Sequence, residues 1–104
     1  MTLSQRTEDG LRKLDPEHSN GGFTELQSAT LVAPDDRECR LLVDDEPISQ
    51  AEIGRNEWVW LPGFYAGEVR IELLDRSDRT LGTWRLDVSP DAGKAGRELF
   101  GRMV

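Results

Sequence analysis

Histidine and cysteine each occur once, as His18 and Cys39, and that scarcity removes several kinds of chemistry at the outset. A structural zinc site takes about four Cys or His ligands, and these two residues are the whole supply. An internal disulfide needs two cysteines, so Cys39 reads as a free thiol and fits a reducing, cytoplasmic compartment. Nucleophilic catalysis needs a base held beside a Ser, Cys or Thr. His18 lies between Glu17 and Ser19 in a polar stretch and reads as a solvated surface histidine. No apolar run approaches the length of about 20 residues that spans a bilayer, and Met1 to Gly10 lacks the apolar core of a secretory signal. Positive charge is also short: 13 Lys+Arg stand against 20 Asp+Glu, a net charge of −7. That balance argues against independent binding to nucleic acid or to an anionic membrane, both of which need a positive field.

What is present is a chain of 104 residues, 37% hydrophobic and 32% charged, which suits one soluble domain. A chain of this size buries roughly two-thirds of the surface that its unfolded form exposes, enough for one modest core. Residues 1–22 carry few large aliphatics (Leu3, Leu11, Leu14) and are interrupted by Gly10, Pro16, Gly21 and Gly22. They read as a disordered tail, with a weak helix from Thr7 to Leu14 as the alternative. A strand is expected over Ser28–Ala33, then a turn at Pro34-Asp35-Asp36. Cys39, Leu41 and Val43 alternate with Arg40, Leu42 and Asp44, the period of a half-buried strand. Gly54-Arg55-Asn56 is a further turn signal.

The stretch from Trp58 to Asp91 holds all three tryptophans and the only tyrosine. Trp58–Leu61 is apolar on both faces and reads as a strand that is central in its sheet or packed on both sides. The clearest hairpin follows. Val69, Ile71 and Leu73 face inward on one strand, Trp84, Leu86 and Val88 on the other, with Asp75–Arg79 as the loop. After Pro90, Ala95, Leu99, Phe100 and Met103 recur at helical spacing. The chain stops at Val104 without a Gly or Asn cap, so residues 91–104 read as the start of a helix leading to a downstream region of a longer parent. Short strands at turn-punctuated intervals over 23–90 predict an antiparallel β-sandwich of immunoglobulin or fibronectin type, with a short C-terminal helix. A small barrel is the alternative.

Other candidate chemistries fail on spacing. Residues 35–46 hold six acids and two bases, so Asp35-Asp36 and Asp44-Asp45-Glu46 invite a Ca²⁺ reading. Those groups flank one strand, and the EF-hand spacing is absent, so solvated turns are the better account. Pro34-Asp35 with Glu38-Cys39-Arg40, and Pro90-Asp91 with Lys94, imitate a PD-(D/E)xK nuclease site without its separation of acid and E-x-K. Gly21-Gly22 lacks the lysine and helix of a phosphate loop. No catalytic, metal-binding or cofactor-binding residue is assigned. Phe64 and Tyr65, in the Pro62–Gly67 connection, and the stripe of Leu99, Phe100 and Met103 are the candidate partner contacts. An aromatic platform of Trp58, Trp60, Phe64, Tyr65 and Trp84 would instead make a stand-alone carbohydrate- or peptide-binding module.

The run Pro62-Gly63-Phe64-Tyr65-Ala66-Gly67-Glu68-Val69 is followed by an Asp-containing turn and then by Leu81-Gly82-Thr83-Trp84-Arg85-Leu86-Asp87-Val88-Ser89-Pro90. Lys94 and a helix with Phe100 and Met103 come next. This order, over residues 58–104, resembles the N-terminal β domain of McrC-like proteins, the nuclease subunits of McrBC-type restriction systems and their phage-defence relatives. The resemblance implies a β domain followed by a helical region, with a PD-(D/E)xK nuclease further downstream. It also implies an AAA+ GTPase or ATPase as partner. The fragment itself would be a non-catalytic assembly or recognition module.

Overall fold

The computed structural model describes residues 1–44, 46–47, 52–60 and 65–90 of the chain. Among them are ten strands: β1 (Ser4–Thr7), β2 (Gly10–Lys13), β3 (Ser19–Thr24), β4 (Ala29–Val32), β5 (Arg40–Val43), β6 (Glu46–Pro47), β7 (Glu52–Gly54), β8 (Glu57–Trp60), β9 (Gly67–Leu74) and β10 (Thr80–Ser89). They form two five-stranded sheets, in the orders β2-β1-β4-β8-β7 and β3-β10-β9-β5-β6. The run β1-β4-β8-β7 against β10-β9-β5-β6 is the A-B-E-D and G-F-C-C′ order of an immunoglobulin-type sandwich. β2 extends one sheet and β3 the other. One detail departs from the antiparallel expectation: β3 runs parallel to β10, with Arg85 opposite Ser19 and Ser89 opposite Thr24.

Period-two alternation explains why the sheets face each other. On β9 the buried residues include Val69, Ile71 and Leu73, and on β10 they are Trp84, Leu86 and Val88, as the hairpin pattern predicts. Leu31 of β4, Trp58 of β8 and Leu41 and Val43 of β5 close the same core. Each fully buried side chain of this size contributes roughly 1.5–3 kcal/mol over its exposed state. Trp84 is 1% exposed and Trp58 is buried, while Trp60 packs half-buried against the core. The tryptophans are therefore structural, and the aromatic platform loses two of its members to the interior. β8 sits between β4 and β7, the central place that its two apolar faces predict.

Residues 1–22 correct the expectation of a disordered tail, and of a helix over Thr7–Leu14. β1 and β2 form a hairpin around Glu8-Asp9, in register from Ser4 opposite Lys13 to Thr7 opposite Gly10. β1 also pairs with β4, so the hairpin is an integral edge of its sheet. Leu3 and Leu14 are 0% and 1% exposed, and the Leu14 N–H donates to the Leu3 carbonyl at 2.9 Å. Polar composition misleads here because Leu3 and Leu14 carry most of the apolar burial, Ser4 is buried with them, and residues 6–11 between the strands are exposed.

The predicted helix over 91–104, with Leu99, Phe100 and Met103, lies outside the described residues, as does Phe64. No helix among the described residues is long and apolar enough to cross a membrane.

Candidate functional site

Three connections meet at one end of the sandwich: β4–β5 (residues 33–39), β7–β8 (Arg55-Asn56) and β9–β10 (residues 75–79). Strand order places them together, because β4, β5, β8 and β10 all reach this end through these connections. Between them lies an open cleft of about 840 Å³, lined by Glu38, Cys39, Arg40, Gly54, Arg55, Asn56, Arg76 and Asp78. Loops carried on a rigid scaffold are common places for binding residues.

Asn56 holds the cleft together. It takes the left-handed conformation, φ 58°, that the two-residue turn before β8 requires and that Asn tolerates. Its side chain is buried among the backbone of the β4–β5 connection. Oδ1 accepts the Cys39 N–H at 3.0 Å, and Nδ2 donates to the carbonyls of Pro34, at 2.6 Å, and Arg37. Its own carbonyl accepts the Ala33 N–H at 2.9 Å. A loop with buried backbone groups needs such partners, and one side chain supplies three of them.

Asp75 orders the β9–β10 loop in a similar way. Oδ1 accepts the backbone N–H groups of Ser77 and Arg79 at 2.8 and 2.9 Å. These bonds, that to Arg79 first, hold the Asp75 carboxyl below its ordinary range. Asp78 takes a left-handed φ of 63° in this loop.

Charge lines the walls. Arg76 Nε lies 3.2 Å from Glu38 Oε2, and Arg40 pairs with Asp78, so both ion pairs tie the β9–β10 loop to the start of β5. Arg55 enters neither pair and completes a set of three guanidinium groups around the opening. Burial raises the Cys39 thiol above its ordinary value, against a smaller opposing effect of Arg37 and Arg55. The thiol therefore stays protonated near neutrality and is a poor nucleophile. Among the described residues no three His, Cys, Asp or Glu side chains converge to hold a metal.

The sequence-predicted contact Tyr65 lies at the other end. β9 separates it from the cleft by eight residues, roughly 25 Å of extended strand. Tyr65 is 86% exposed. Its neighbour Ala66 donates to Glu25 Oε2 at 3.3 Å, which brings the β3–β4 turn and its exposed Leu26 to the same end. Phe64, Leu99, Phe100 and Met103 are outside the described residues, so Tyr65 is the one predicted contact that the structure places. His18 is exposed on the β2–β3 connection, with Nδ1 2.9 Å from Asp15 Oδ2, far along the chain from the cleft.

Sequence reading missed Arg40, Arg55, Asn56 and Arg76 as a group. Each lies in or beside a recognisable turn or strand start, and those signals were legible. Their convergence was not, because it depends on which strands become neighbours. No family model matches the chain, and no matching characterised protein or solved structure was found.

Proposed function

We propose that this chain is a non-catalytic binding module that engages a partner through the cleft at the β4–β5, β7–β8 and β9–β10 end. One observation carries the reading: Asn56 fastens a turn and a loop from different parts of the chain into one open, charged concavity. A concave site of a few hundred Å³, lined by a few placed polar groups, is the usual form of a binding site. Cys39 and His18 are poorly suited to nucleophilic work, the one protonated and buried, the other distant and solvated. Assembly with an AAA+ NTPase, as the resemblance of residues 58–104 to McrC-like proteins implies, is the specific form of this proposal. Its support is that sequence order alone.

Affinity capture from the native host with the full chain tests the reading, followed by titration of the captured partner in purified form. The variant Arg40→Ala/Arg55→Ala/Arg76→Ala should lose the partner, and Tyr65→Ala should keep it. Equal binding by the wild type and the triple variant would sink the assignment to this cleft. Loss with Tyr65→Ala alone would move the contact to the opposite end, where a peptide- or carbohydrate-binding reading would take precedence.

A further inference from the structure

The cleft's own ion pairs indicate what chemistry it accepts. Two of its three guanidinium groups are occupied by carboxylates of the same chain, Arg76 by Glu38 and Arg40 by Asp78. The partners in these pairs are 78% and 62% exposed, and 57% and 69% exposed. Pairs this open are worth little and exchange readily for another carboxylate of similar geometry. Arg55 stands at the same opening and belongs to neither pair. Arginine favours carboxylates because its planar fork of donors matches their two oxygens.

The lining also limits the ligand. Glu38 and Asp78 stand among the arginines, and the whole chain carries −7. A polyanion such as a nucleic-acid backbone meets repulsion here. A single carboxylate on an otherwise uncharged segment avoids it. The volume of about 840 Å³ is far larger than one small anion needs and admits several residues of an extended chain. Asn56 and Asp75 already order the loops, so binding does not have to pay for arranging them.

We infer that this cleft, taken as the partner site proposed above, binds a short peptide segment through one acidic side chain anchored on Arg55. Arg40 and Arg76 flank that anchor, and either exchanges its own carboxylate for the ligand's.

The test is a ¹⁵N NMR titration of the full chain with the peptide acetyl-Gly-Gly-Glu-Gly-Gly-amide. Its Gln analogue and inorganic phosphate serve as comparison probes. The Glu peptide should shift the amides of Arg40, Arg55, Asn56 and Arg76. The Gln analogue should bind about two- to fivefold more weakly, the worth of one exposed ion pair. Arg55→Gln should lose the same factor while keeping the wild-type unfolding midpoint, since this side chain is exposed. Equal shifts from the Glu and Gln peptides would overturn the carboxylate anchor and leave the cleft as a binding site. Phosphate acting as well as the Glu peptide would overturn peptide recognition in favour of a general anion site. Silence of the cleft amides with every probe would overturn the inference, while the triple-variant capture experiment judges the cleft's role separately.

Discussion

Asn56 and Cys39 are joined across the chain by one buried hydrogen bond, from the Cys39 N–H to Asn56 Oδ1 at 3.0 Å. This bond and its companions to Pro34 and Arg37 couple the turn before β8 to the entry of β5. Asn56→Ala leaves those backbone groups buried without their partner, at a cost of about 2–4 kcal/mol. Asn56→Gly keeps the left-handed backbone and loses only the side chain, so it should be milder than Ala by about 1 kcal/mol. Urea unfolding of the three proteins measures both. Equal stability of wild type and Asn56→Ala would show that the side chain does not organise this end.

Gly82 lies beneath the Trp84 indole on β10. A Cβ at position 82 would approach Trp84 Cη2 to 2.6 Å, and the register between β9 and β10 shifts at this point. Trp84 is buried, so the ring has little room to retreat. Gly82→Ala should therefore destabilise the fold by about 1–3 kcal/mol and alter the near-ultraviolet circular dichroism of the indole. An unchanged spectrum with unchanged stability would contradict the close approach.

Leu3 and Leu14 bring the first residues into the core, contrary to the reading of residues 1–22 as a tail. Leu3→Ala should cost about 2–5 kcal/mol, the range for a buried leucine. Hydrogen exchange should show protected amides in β1, which is bonded on both sides by β2 and β4. Rapid exchange throughout β1, with a neutral Leu3→Ala, would restore the tail.

Asp75 supplies a pH-dependent contribution. Its folded-state carboxyl lies below its ordinary range, chiefly through the Arg79 N–H. The depressed value means that its stabilisation is fully present above the unfolded pKa and is lost as pH falls through the folded one. Asp75→Asn should thus have a lower Tm than wild type at neutral pH. The difference should shrink once the pH drops below about 4. Thermal melts across that range give the answer, and a gap that widens on acidification would reverse the assignment.

The parts legible in the sequence were those with local causes. Alternation exposed β9 and β10 and their inward residues, and the Pro34-Asp35-Asp36, Gly54-Arg55-Asn56 and Asp75–Arg79 signals marked three loops. β1 and β3 escaped because their support is distant. β1 is held by β4, and β3, with its Gly21-Gly22, gains its partner by running parallel to a strand more than sixty residues later. The role of Asn56 was hidden for a related reason. A turn asparagine looks the same in sequence whether its amide faces water or three buried backbone groups.

By itself, then, the sequence determined a mainly β domain with a hydrophobic core centred on Val69, Ile71, Leu73, Trp84, Leu86 and Val88, because side-chain alternation follows directly from strand geometry. It also determined the absence of a zinc ligand set and of a second cysteine within these 104 residues, which is a matter of inventory. Only the tertiary structure decided where the arginines meet. Arg40, Arg55 and Arg76 are separated by fifteen or more residues along the chain, and the strand order of the two sheets brings their turns to one end. Proximity of that kind is a property of long-range pairing, and no local pattern of residues encodes it.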